Sequence, residues 1–200
     1  MPAVENAVPV SPVANVTDDR EAHPKQWHIA LVQMNCEKRI SRKLDTLRIE
    51  NFVPTQTEIH MWSDRRKKVD RIVLPMSVFV HVNDEQLRTV RELSSVFRMM
   101  SYPGDKRPAE IPSAEVERFR QMLQCTESQV SIEEAPLQAG EKVVISKGSL
   151  RGLYGELTSV TDDKSHVIIR IGCLGCASID IPSTYVERIS ETKTNTKTTK

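Results

Sequence analysis

The sequence predicts an α+β domain with an antiparallel sheet covered by helices, followed by a small all-β barrel. Three observations carry this. Between Lys25 and Gln124 the apolar pattern switches between strand-like alternation and helical spacing. Between Gln138 and Ser190 only short β-branched runs occur. The stretch Cys125–Leu137 (CTESQVSIEEAPL), with three acids, two serines and a proline, separates the two blocks as a linker. Outside them, residues 1–24 and 191–200 read as disordered tails: the first has no aromatic residue and three early prolines, the second is polar low complexity (ETKTNTKTTK).

In the first block, Trp27–Met34 (WHIALVQM) reads as a strand. Glu37–Glu50 places Ile40, Leu44 and Leu47 at helical spacing among Arg39, Arg42, Lys43 and Arg48. Phe52–Trp62 and Arg71–Val82 are two extended runs, and the polar connection Ser63–Lys68 makes them a hairpin. Asn83 followed by Gln86 has capping-box spacing and opens a helix that buries Leu87, Val90 and Leu93. Val96–Met100 returns as a strand. Ser113, after Pro112, is expected to cap a last helix with Val116, Phe119 and Leu123 inward.

In the second block, five short strands are expected at Lys142–Ser146, Glu156–Val160, His166–Ile171, Ala177–Ile181 and Val186–Ile189. Five strands in so few residues suffice for a small closed barrel but not for a deep pocket.

The 200 residues carry 28 Lys+Arg and 27 Asp+Glu, a net charge of +1 that excludes only a bulk polyanion binder. Block by block, Lys25–Gln124 holds 18 bases and 13 acids, while Met1–Pro24 and Cys125–Leu137 are acidic and Gln138–Ser190 has six of each. A moderately basic domain thus sits between acidic spacers. Cys36, Cys125, Cys173 and Cys176 are too few and scattered for a disulfide framework, so reduced thiols are expected. With no long uncharged apolar stretch and no basic, apolar leader, the chain is expected to be soluble and cytoplasmic.

The most specific motif is Gly140-Glu141-x-Val143-x-Ile145 followed by Gly148, Gly152 and Gly155. Glycines at this spacing after an alternating strand suit either a generic tight turn or a dedicated strand–loop–strand element. The pattern resembles the KOW motif of SH3-like barrels. Together with the Trp-led strand, the basic hairpin, the Pro-containing run Val73–Val80, two further helices and the acidic linker, it makes Lys25–Ser190 resemble the NusG family of transcription factors.

That resemblance implies a NusG N-terminal-like domain over 25–124 and a KOW domain over 138–190. It implies that the first docks on the clamp of RNA polymerase, beside DNA or nascent RNA, and alters pausing. It also implies that the second recruits another protein, such as Rho or a ribosomal protein. The family's aromatic-Pro-Gly-Tyr run stands here as Leu74-Pro75-Met76-Ser77, with only the proline kept, and an exposed aromatic of the KOW hairpin falls at Leu174. These departures favour a specialised paralogue of the kind that includes RfaH and the UpxY antiterminators of capsular polysaccharide operons. A general NusG-like elongation or termination factor is the alternative, as is a KOW-type RNA- or ribosome-binding module.

A clamp-binding face needs an apolar centre with a polar rim. Leu74, Met76, Val96, Met99 and Met100, with Pro75 and Ser77 in the same run, are the candidates; the competing reading is that the methionines are core. Arg65, Arg66, Lys67 and Lys68, with Arg71 behind them, are the nucleic-acid-proximal candidates, against the alternative of a solvated charged loop. Trp62 beside them either stacks on a base or pins the hairpin.

Cys173-Leu174-Gly175-Cys176 supplies at most two zinc ligands where a structural site needs four, and a β-hairpin is the wrong place for a redox pair. An ordinary thiol pair is expected, with no metal or cofactor. There is no phosphate-cradling loop, nucleophile elbow or HExxH, and the five histidines are dispersed, so no enzyme is expected.

Overall fold

The computed structural model describes residues 24–61, 65–125, 128–133 and 140–189. The expected tails apart from residue 24, Trp62 and part of the expected linker lie outside the described residues. In chain order the elements of the first block are β1 (Gln26–Val32), α1 (Glu37–Thr46), β2 (Glu50–Phe52), β3 (Thr55–Met61), β4 (Arg66–Ile72), β5 (Ser77–Val82), α2 (Asp84–Arg91), β6 (Val96–Met99) and α3 (Ser113–Leu123). The remainder is β7 (Ser131–Glu133), β8 (Glu141–Ile145), β9 (Tyr154–Val160), β10 (Lys164–Arg170), β11 (Cys176–Pro182) and β12 (Val186–Arg188).

A four-stranded antiparallel sheet, ordered β2-β5-β1-β6, forms the centre of the first block. Alternation along its strands separates two apolar layers. Ala30 and Val32 of β1 and Val78, Val80 and Val82 of β5 face one layer, closed by Ile40 and Leu44 of α1 and Leu87 and Val90 of α2. Trp27, Ile29 and Phe79 face the other, covered by Val116, Phe119 and Met122 of α3. Phe79 and Phe119 are fully buried with ring centroids 5.9 Å apart. Truncating either to alanine is expected to cost about 3–5 kcal/mol. The guanidinium of Arg120 lies 4.8 Å from the Trp27 ring and 4.7 Å from that of Phe52, fastening α3 over the sheet edge.

The helix ends follow from local chemistry. Asn83 and Gln86 form the expected capping box: the Asn83 side chain accepts the Gln86 N–H at 2.9 Å. The expected cap at Ser113 is not seen. Pro112 occupies the cap and its carbonyl accepts the N–H groups of Glu115 and Val116, so Ser113 is already the first helical residue. Leu47, expected inward, is 42% exposed because α1 stops at Thr46 and Arg48 turns into the left-handed region with φ of 56°.

The expected long strand Arg71–Val82 is two strands. Pro75 offers no N–H and Met76 has φ of 57°, so the chain turns between β4 and β5. β3 and β4 form a separate two-stranded ribbon, and Arg66–Lys68, expected in its loop, belong to β4.

The second block is a six-stranded antiparallel sheet, ordered β12-β8-β9-β10-β11-β7. The sixth strand, β7, comes from the stretch expected to be linker, and pairs with the β11 edge from Cys176↔Glu133 to Ser178↔Ser131. Gly148 and Gly152 have φ of 78° and 86°, as the loop reading requires. Gly155 serves a different purpose: a Cβ there would stand 2.7 Å from Val167 Cγ1 and 2.9 Å from the Ile168 carbonyl oxygen, so it lets β9 lie close on β10.

The two blocks meet. The layer under α3 is continuous with the barrel interior through Ile111, Cys125 and Val130 to Val143, Ile145, Val167, Ile169 and Ile179. The Gly172 N–H donates to the Glu115 carboxylate at 2.9 Å, joining barrel and α3 directly.

Candidate functional site

The turn Leu74–Ser77 is built on one buried carboxylate. Glu37, 2% exposed in the first turn of α1, accepts the Met76 N–H at 2.7 Å, and the Val32 N–H donates to the Met76 carbonyl at 2.8 Å. Both backbone polar groups of Met76 are thus satisfied in a conformation that L-residues disfavour. Met76 stands where the family pattern has glycine, and the left-handed backbone is present without it.

The structure divides the apolar candidates. Leu74 and Met100 are half-buried and pack against the layer that runs into the barrel. Met99, 6% exposed, and half-buried Val96 belong to the opposite layer, under α1 and α2. Ser77 is 2% exposed, and its hydroxyl donates to the Pro75 carbonyl at 3.3 Å; Pro75 itself is exposed. The seven candidates therefore share a segment of sheet but not a single surface.

The cationic candidates divide as well. Arg65, Arg66, Lys67 and Lys68 are all exposed. On one ribbon face Arg66 stands opposite Met61 and Lys68 opposite Ile59, and both apolar partners are exposed, at 71% and 51%. Arg71 is half-buried on the other face. It is ion-paired with Glu58 and donates to the Gln56 amide oxygen at 3.2 Å and the Val130 carbonyl at 2.9 Å. Arg71 holds the ribbon to the chain that leads into the barrel.

Gln56, which nothing in the sequence marked, is the centre of that junction. It is 1% exposed, and its amide donates to the carbonyls of Cys125 and Ser128 at 2.5 and 2.8 Å. Its oxygen accepts the Val130 N–H at 2.9 Å. A lone glutamine in an alternating strand carries no signal for this role.

In the barrel, Leu174 sits in a 3-10 turn (Gly172–Leu174), half-buried against the shared layer. Its neighbours Cys173 and Cys176 are reduced, and burial pushes both thiols above the ordinary range; the nearby Glu133 carboxylate adds to the effect at Cys176. Among the described residues no three His, Cys, Asp or Glu side chains are grouped to hold a metal, and no helix is long and apolar enough to cross a membrane. Glu156 is held below the usual carboxylate range, first by its hydrogen bonds from Arg170 at 2.8 and 3.0 Å, then by the Gly140 N–H.

Residues 25–120 match the family model described as NusG, transcription termination factor nusG. The transcription termination/antitermination protein NusG of Streptomyces griseus is 23% identical over 187 residues, covering 82% of this chain and 64% of the relative, so the chain spans about two thirds of that protein's length. Residues 25–120 are thus similar to the NusG family of transcription factors. Two solved structures are similar to it. One, described as domain interaction in Thermotoga maritima NusG, is 19% identical with TM-score 0.47, covering 83% of this chain and 98% of the other. The second, an MjSpt4:Spt5 complex, is 14% identical with TM-score 0.26, covering 82% and 97%.

Proposed function

We propose that the chain regulates transcription elongation, with residues 25–124 binding RNA polymerase beside DNA or nascent RNA and 138–190 acting as a KOW domain for a second protein. The match of residues 25–120 to the NusG model carries this reading. The exposed cations Arg65–Lys68 support it, since clustered surface bases bind phosphate backbones in a sequence-tolerant, salt-dependent way. The mechanism is population shift without chemistry: a factor that binds the elongating complex better than the paused one holds polymerase in the former state.

The polymerase anchors in this reading are Leu74, Pro75, Met76, Ser77, Val96, Met99 and Met100, and Leu174 is the anchor for the barrel's partner. Leu74, Met100 and Leu174 pack against one continuous apolar layer. Replacement of both family aromatics at Leu74 and Ser77 favours a specialised antiterminator of the UpxY or RfaH kind, acting on a polysaccharide operon. The Streptomyces relative, named a transcription termination/antitermination protein, supports the second reading, a general NusG-like elongation or termination factor.

Two measurements test the proposal. Purified chain is expected to co-elute with core RNA polymerase at low salt; failure to co-elute overturns it. In a terminator read-through assay, raised read-through supports antitermination, and increased termination supports the housekeeping alternative.

A further inference from the structure

The strand β7 is three residues long and lies on the β11 edge through Ser131, Ile132 and Glu133. Ahead of it, Gln56 and Arg71 fix the chain as far as Val130. Within it, Ile132 is half-buried against the shared apolar layer. A strand this short makes few ladder bonds, so the contacts of its last side chain weigh in how firmly it is held.

The Glu133 carboxylate reaches across the sheet. One oxygen accepts from the Ser178 hydroxyl of β11, and the other stands 3.6 Å from Nε2 of His166 on β10. The same imidazole meets Asp180 of β11 at its other nitrogen, with Nδ1 2.7 Å from a carboxylate oxygen. His166 thus lies between two acceptors. The remaining groups around it keep their protonation state near neutral pH. β9 faces it with Ser159, and the Thr158 hydroxyl donates to the His166 carbonyl. Cys176, opposite Glu133, carries a thiol that burial pushes up, so it stays protonated. Arg170, further along β10, keeps its charge and is held by Glu156.

Two carboxylates need two donors, and an imidazole has two only when it is protonated. Imidazoles gain and lose that proton in the range of about pH 5–8. The neutral ring keeps one N–H. The shorter contact, to Asp180, retains it at Nδ1, which leaves the Nε2 lone pair facing the Glu133 carboxylate. We propose that His166 is a pH-operated latch on β7: the imidazolium ties Glu133 to β10, and its deprotonation releases the end of the strand. Loosening β7 leaves the β11 edge from Cys176 to Ser178 unpaired. The latch acts on the strap between the two blocks and does not rest on polymerase binding.

Amide hydrogen exchange of the full chain at about pH 6 and about pH 8, corrected for the intrinsic rates, tests this. Protection of Ser131–Glu133 is expected to fall about fivefold between the two, while that of β9 and β10 holds. His166→Gln does not titrate, and Glu133→Gln has no carboxylate for the lone pair to oppose. Both are expected to change less than about twofold. In Asp180→Asn the side-chain amide can donate to Nδ1, so the neutral ring carries its proton at Nε2 and keeps its hold on Glu133. Its pH dependence is expected to shrink likewise. No fall in wild type, a fall of wild-type size in either His166→Gln or Glu133→Gln, or a fall shared equally by β9 and β10, overturns the latch. A full pH dependence in Asp180→Asn overturns the assignment of the remaining proton to Nδ1.

Discussion

The carboxylate of Glu37 accepts the backbone N–H of Met76 at 2.7 Å and thereby holds a non-glycine residue at φ of 57°. The contact joins the start of α1 to the turn before β5, two places 39 residues apart. Removing the acceptor leaves a donor with no partner in a disfavoured conformation. Glu37→Ala is expected to lower stability by about 1–3 kcal/mol. Glu37→Gln, which keeps an amide oxygen for Met76, is expected to lose less. Urea unfolding of the two variants measures the difference, and equal losses would show that the contact does not hold the turn.

Gln56 makes a similar connection at longer range, satisfying two carbonyls and one N–H of the segment 125–130. Gln56→Leu is expected to destabilise by at least about 2 kcal/mol, because several buried backbone groups lose partners together. Gln56→Glu is expected to be worse, since an acceptor would then face the carbonyls of Cys125 and Ser128. Limited proteolysis is expected to cut both variants faster within residues 125–137, and unchanged cutting would argue that Gln56 does not fix this segment.

The contrast between these two residues explains how much was legible in the sequence. The helices around Leu44, Leu87 and Phe119 follow from 3.6-residue periodicity, and β8–β12 from short β-branched runs, because both patterns report which side of an element meets water. β7 was hidden because its strand is three residues long and acidic, and is set by pairing with β11 rather than by its own propensity. The split of Leu74 and Met100 from Val96 and Met99 was hidden for another reason. Met99 and Met100 are sequence neighbours in opposite layers, whereas Val96 and Met99 share one layer across an irregular β1–β6 register that the sequence does not show. Arg71 reads as one more base of a cationic run, and only the fold turns it inward.

Glu156 contributes a pH dependence to stability. Its carboxyl is held below the ordinary range, chiefly by Arg170 and then by the Gly140 N–H, so it binds fewer protons in the folded than in the unfolded chain at mildly acid pH. The stabilisation is present above the unfolded value, about 4.3, and is lost as pH falls through the lower folded value. Glu156→Gln is accordingly expected to melt at lower temperature than wild type at pH 7, with the gap closing at acid pH. A gap independent of pH would attribute the loss to packing.

Cys173 and Cys176 are expected to be poor nucleophiles, because burial raises both thiols and leaves little thiolate at neutral pH. Alkylation followed by mass spectrometry is expected to be slow at pH 7 and to accelerate as pH rises beyond the ordinary thiol range. Rapid modification of this pair at pH 7, or rapid disulfide formation between them, would contradict the environment the barrel gives them.

The last prediction separates bases that face solvent from the one that faces the fold. Arg66, Lys67 and Lys68 are exposed on β4, so reversing them to glutamate is expected to leave stability within about 0.5 kcal/mol. If the ribbon lies along a phosphate backbone, the same change lowers retention on immobilised DNA and flattens its salt dependence by about 0.7–0.9 for each phosphate that is no longer neutralised. Arg71→Glu is expected to do the reverse. It places a carboxylate against Glu58 and the Val130 carbonyl, so it is expected to destabilise by several kcal/mol. Melting curves and a salt titration on the two variants decide the matter. Equal loss of retention in both, with Arg71→Glu still folded, would show that Arg71 belongs to the nucleic-acid surface after all.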